Sequence, residues 1–199
     1  MSGNLLDELL RRGATFAAFR EPGRGARVLV QLQGELKPAV AGDTCFTLCP
    51  FEPFDGSALC IRPDIELDLD DDRGLDPITG TSTSLGRVLH AGLDRAGYRE
   101  AVSHAVRELR SGRAQKVVLA RTIGINLGSA TPGGLFAAAC EAQPGAFVAL
   151  VNTDRFGTWL GASPERLLLM EDDRFEVDAL AGTMPTDQAP TDPAAWGEK

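Results

Sequence analysis

Hydrophobic and polar positions recur along this chain with two different periods, and the switches between them mark its elements. Leu5, Leu6, Leu9 and Leu10 fall on one face among charged residues, which predicts a helix over residues 2–12 stopped by Gly13. Phe16-Ala17-Ala18-Phe19-Arg20 and Arg27-Val28-Leu29-Val30-Gln31-Leu32 flank Glu21-Pro22-Gly23-Arg24-Gly25, the punctuation of a hairpin. Two further strands are predicted over 45–48 and 58–62, around a turn rich in Pro, Phe and Gly. Residues 64–84 are acidic and contain many Gly, Thr and Ser, the composition of a solvated, mobile connector.

Helical spacing returns after Ser84: Tyr98, Val102, Ala105, Val106 and Leu109 share one face, and most of the charges point the other way. Ser111-Gly112 ends that helix, and the continuous apolar run that begins at Lys116 predicts a strand covered on both faces. A second helix is expected over 132–143, closed by Pro144-Gly145. Two strand pairs follow, 146–152 with 157–162 and 166–170 with 174–180, and a Pro- and Asp-rich loop then leads toward another helix. Strands dominate and helices interrupt them, so the expected class is α+β with largely antiparallel sheets. The natural division is a strand-rich region over 1–84, connector included, and a second region over 85–199.

Composition narrows the function classes. The chain has 199 residues, 43% hydrophobic and 24% charged, as an ordinary soluble globular protein does. A net charge of −8 argues against nucleic acid as a partner, because phosphate neutralisation needs clustered Lys and Arg. No apolar run approaches the ~20 residues that span a bilayer, and no signal peptide is visible, so a cytoplasmic protein away from membranes is expected. Cys45, Cys49, Cys60 and Cys140 form no CxxC pair, and His90 and His104 do not complete a zinc site, so free thiols are expected.

Several motifs fail on inspection. Asp68 to Gly74 resembles a calcium loop, but the glycine comes one place late and Thr79 stands where a bidentate glutamate is needed. Gly23-Arg24-Gly25 lacks the setting of a dinucleotide loop, and there is neither a Walker lysine nor a nucleophile elbow. Lys116 is different. A lysine entering a covered strand is partly desolvated, which lowers its pKa and makes it a usable general base. Glu165 follows Gly161-Ala162-Ser163-Pro164 at a strand end, a common place for a catalytic group, although a solvent pair with Arg166 is the plainer alternative. Ala181-Gly182-Thr183 offers small residues whose backbone N–H groups could meet a carboxylate.

Lys116-Val117-Val118-Leu119-Ala120-Arg121, Gly161-Ala162-Ser163-Pro164-Glu165-Arg166-Leu167-Leu168 and Ala179-Leu180-Ala181-Gly182-Thr183, taken in order, resemble the chorismate-utilising enzymes, most closely the isochorismate synthase branch. The resemblance implies a magnesium-dependent reaction on chorismate: water adds at ring carbon 2 and the hydroxyl at carbon 4 leaves. By the same resemblance Lys116 is the base that activates water, Glu165 is the acid that protonates the departing hydroxyl, and Ala181, Gly182 and Thr183 contact substrate. An amine and a carboxyl with separated pKa values suit that division of work. Ammonia-using members tend to carry glutamine at the place of Lys116, and aminodeoxychorismate synthases a lysine at that of Ala181, which favours the water-using branch. Salicylate synthase shares these features and is the nearest alternative within the family. Nothing in the residues chooses between menaquinone, siderophore and salicylate routes.

The resemblance also implies a monomeric enzyme about twice this length, whose magnesium-binding glutamates lie beyond the place of Lys199. The expectation is therefore a fragment, inactive alone, with apolar strand edges open where further chain would pair. A non-catalytic, self-associating chorismate-binding protein is the alternative from another class.

Overall fold

The computed structural model describes residues 3–32, 35–40, 42–49, 58–69, 92–166 and 168–178. The leucine stripe forms helix α1 (Gly3–Arg11), which Gly13 terminates at a φ of 65°, a region that a residue with a Cβ enters only at a cost. Strands β1 (Thr15–Arg20) and β2 (Ala26–Gln31) pair antiparallel across the expected turn, Ala17 facing Leu29.

This hairpin is the middle of a larger sheet. On its outer side β2 pairs with β6 (Ile65–Asp68), Val28 facing Leu67. On the other side β1 pairs with β7 (Phe147–Thr153), Ala18 facing Leu150, and β7 turns into β8 (Gly157–Ser163). The order is β6-β2-β1-β7-β8, every pair antiparallel, so strands from both sides of residue 84 share one sheet. The α+β class with antiparallel sheets is what the periodicity predicts.

Pleating sorts the side chains to two faces. Phe16, Ala18, Val28, Val30, Val148 and Leu150 point toward α1 and α3 (Pro132–Ala142), where Leu6, Leu9, Leu10, Phe136 and Cys140 close the main core. Each fully buried leucine or phenylalanine there contributes about 2 kcal/mol of apolar burial. Ala17 and Val151, one residue out of phase, point the other way and meet Ile61, Leu36, Phe46 and Leu48. Those residues belong to or border a small sheet of β3 (Lys37–Pro38), β5 (Leu59–Ile61) and β4 (Phe46–Leu48), in the order β3-β5-β4. The result is three layers: helices, the large sheet, the small sheet.

Helix α3 is held at both ends by side chains from distant elements. Thr131 caps it locally, accepting from Gly134 N at 3.1 Å, and Asp7 Oδ1 of α1 accepts from Gly133 N at 2.8 Å. At the far end Arg20 of β1 donates to the carbonyls of Cys140, Gln143 and Pro144.

Three expectations are corrected. Residues 65–68, assigned to a solvated connector, form strand β6, because Ile65 and Leu67 alternate with Glu66 and Asp68 and cover one side of β2. The run from Lys116 to Arg121 is no strand: no ladder partner sits beside it among the described residues, and Val118 is 82% exposed. The cysteines are not all free: Cys45 and Cys60 are joined, while Cys49 and Cys140 carry free thiols. Among the described residues no helix is long and apolar enough to cross a membrane.

Candidate active site

Helix α2 (Arg95–Arg110) opens with Asp94, whose Oδ1 accepts from Gly97 N at 2.7 Å, and closes at Ser111, whose N–H returns to Arg107 O. The expected amphipathic helix is present, yet it buries none of its residues. The chain then runs back along the start of the helix. Tyr98 Oη donates to Leu119 O at 3.3 Å, and the Arg121 guanidinium lies 5.3 Å from the centre of the Tyr98 ring. At Gly92 a Cβ would sit 2.4 Å from Thr122 O, so only glycine lets these two backbones pass.

Lys116 stands at the head of this returning segment and is exposed. Its Val and Leu neighbours are exposed as well, Val117 at 40% and Leu119 at 37%. The partial desolvation expected of a lysine entering a covered strand is therefore not found at Lys116.

Glu165 is placed by a different device. It lies just beyond β8, where Ser163 Oγ accepts from Glu165 N at 3.3 Å and donates to Glu165 O at 3.0 Å. The main chain at Glu165 is pinned while the residue itself faces solvent. Arg166 has carboxylate partners across the neighbouring hairpin. Its guanidinium reaches Asp178 at 3.1 Å and Glu176 at 3.2 Å, across the hairpin of β9 (Leu169–Glu171) and β10 (Arg174–Glu176). Arg166 N donates to Asp178 Oδ2 at 2.9 Å, and Asp178 N to Arg166 O at 3.1 Å, so the loop that carries Glu165 is tied to the hairpin base. The Arg166 side chain, then its backbone N–H, hold the Asp178 carboxyl below its ordinary value.

Lys116 and Glu165 are thus both solvent-facing, each beside a fixed stretch of backbone. Ala181, Gly182 and Thr183 lie outside the described residues. The anchoring pair Asp178 and Glu176 escaped the reading of the sequence, although two carboxylates flanking a hairpin opposite an arginine are a signal that could have found them.

The model of the chorismate binding enzyme family matches residues 65–198, a span that contains Lys116, Glu165 and the Ala181-Gly182-Thr183 segment. The chain belongs to that family. Comparison with curated proteins and with solved structures finds no match. Membership makes a chorismate-like small molecule the expected substrate and places the chain among the chorismate-utilising enzymes.

A magnesium ion belongs to the expected chemistry, so the donors present matter. Among the described residues one group of three side chains could hold a cation: Asp43, Cys45 and Cys60. Magnesium is a hard ion that takes oxygen ligands, and two sulfurs do not suit it. The described residues therefore do not fit magnesium.

Proposed function

We propose that this chain carries the acid/base groups of an isochorismate synthase, converting chorismate to isochorismate. Water adds at ring carbon 2, giving its proton to Lys116 Nζ, and the hydroxyl at carbon 4 departs as water after taking a proton from Glu165. Ala181, Gly182 and Thr183 contact the substrate in this reading. The observation that carries it is the family match across residues 65–198, which spans both groups, with lysine rather than glutamine at position 116. Pinning of the Glu165 backbone by Ser163 supports a positioned acid. Magnesium belongs to this reading through the resemblance alone. A cytoplasmic, monomeric complete enzyme is part of the same proposal.

The test is chromatographic analysis of chorismate incubated with magnesium and either this chain or its reading frame extended past Lys199. Isochorismate from the extended protein, lost in Lys116→Ala and Glu165→Gln, is the expected result. Salicylate with pyruvate would assign the salicylate synthase branch instead. Binding by calorimetry without turnover in either form would mark a non-catalytic protein. Full rate in Lys116→Ala overturns the mechanism.

A further inference from the structure

We propose that Cys45 and Cys60 form a reversible dithiol–disulfide latch that fastens the small sheet to itself. Their Cα atoms are 5.8 Å apart, within the range a disulfide spans. The two residues sit on neighbouring strands of the small sheet, Cys45 just before β4 and Cys60 within β5, separated by 15 positions in sequence. Thr47 Oγ1 approaches both sulfurs, at 3.7 Å and 3.8 Å, which places the three side chains on one side of the β4–β5 pair.

The alternative use of two sulfurs beside a carboxylate is a thiolate metal site with Asp43. Asp43 is already engaged. Its Oδ2 takes the Arg62 guanidinium and accepts from Val40 N at 3.2 Å, and these partners, Arg62 first, hold its carboxyl below the ordinary value. A guanidinium in that position repels a cation, so the pair of sulfurs is better matched to each other than to zinc.

Burial orders the chemistry. Cys45 is half-buried and Cys60 fully buried, so an incoming low-molecular-weight disulfide meets Cys45 first. The Cys45 thiolate attacks one sulfur of that reagent, forms a mixed disulfide and expels one thiolate. The Cys60 thiolate then attacks Cys45 Sγ and expels the second. The protein loses two hydrogens and two electrons, and the reagent leaves as two thiols.

What the latch holds is the second hydrophobic cluster. Ile61, next to Cys60, packs on Ala17 and Val151 of the large sheet, and Phe46 and Leu48 of β4 complete that layer. Leu48 also lines an apolar cleft of about 350 Å³ with Cys49, Val151, Phe156 and Trp159. Closing the latch restrains one wall of that cleft, and opening it frees residues 42–49 to exchange.

The test is equilibration of the purified chain in glutathione buffers of graded redox poise, followed by alkylation and peptide mass mapping. Cys45 and Cys60 are expected to lose reactivity together with a two-electron slope, Cys49 remaining alkylatable throughout. Amide exchange over residues 42–49 should be several-fold slower in the oxidised than in the reduced protein, and equal under both conditions in Cys45→Ser. The latch is overturned if the pair stays reduced in the most oxidising buffer, if Cys49 is consumed in place of either partner, or if the reduced protein retains stoichiometric zinc. It is also overturned if exchange is the same in both states.

Discussion

Arg20 and Gln143 meet at the end of helix α3: a guanidinium from the central strand lies 2.6 Å from the carbonyl of Gln143, the residue that caps the helix. The same side chain reaches Pro144 O at 2.6 Å and Cys140 O at 3.3 Å, and Arg20 is only 6% exposed. Its cation faces the negative end of the helix, and Asp7 places a carboxylate at the positive end. Replacing Arg20 by Met removes the side-chain donor from the Cys140 and Pro144 carbonyls, while Gln143 O keeps Ala146 N. The expected loss is about 2 kcal/mol, read as a lower urea midpoint with an unchanged slope.

Asp7→Ala removes one acceptor at the opposite end of α3 while Thr131 remains. The expected cost is about 1 kcal/mol, smaller than that of Arg20→Met. The double variant should add the two losses to within about 0.5 kcal/mol, because the ends are distant and share no partner. Thermal or urea unfolding of the four proteins checks both statements.

The hairpin behind Glu165 should respond to acid. Asp178 is held below its ordinary value of 3.8 by Arg166, so its contribution is fully present above that pH. It is lost as the pH falls below 3.8 through the lower native value. Carboxyl and Arg166 side-chain NMR signals followed from pH 6 to pH 2 (roughly the span over which a carboxylate titrates) should report this loss. Asp178→Asn should show no such transition at the hairpin.

Val118 and Ile125 are 82% and 77% exposed on the segment that follows α2. Changing both to Asp should alter unfolding free energy by no more than about 0.5 kcal/mol, since neither is packed. The same variant should bind less of a hydrophobic dye and aggregate less on storage. A large loss of stability would show that these residues are packed in solution.

On the proposed mechanism, replacing Glu165 or Lys116 acts on rate alone. In the protein that turns over chorismate, Glu165→Gln should lower kcat by about 10²–10⁴, the usual weight of one proton-transfer group. Folding of the variant, followed by circular dichroism, should be unchanged because Glu165 faces solvent.

Much of the fold was legible because its signals are local. Pro22 and Gly23 marked the first hairpin, and the four leucines of α1 drew their own buried face. The errors came where a segment's state depends on a neighbour. Ile65 and Leu67 alternate as a strand should, but the surrounding carboxylates outweighed two apolar residues until β2 supplied a partner. The opposite holds at Val117, Val118 and Leu119, whose apolarity predicts burial although no strand lies alongside among the described residues. Cys45 and Cys60 are brought together by the antiparallel pairing of β4 with β5, which spacing alone does not disclose. Lys116 and Glu165 stood out as chemistry, whereas the backbone ties at Ser163, Tyr98 and Asp178 are contacts that only three dimensions reveal.

The pairing of β1 with β7 has a consequence for how the molecule comes into being. Asn152 Nδ2 donates to Ala14 O at 2.7 Å across 138 positions of sequence. During synthesis the first hairpin therefore leaves the ribosome with one flank bare, and that flank is sealed only when residues near Val148–Asn152 emerge. Pairings of such long sequence separation slow folding relative to a sheet built from neighbouring strands, because the loop must close before the contacts repay it.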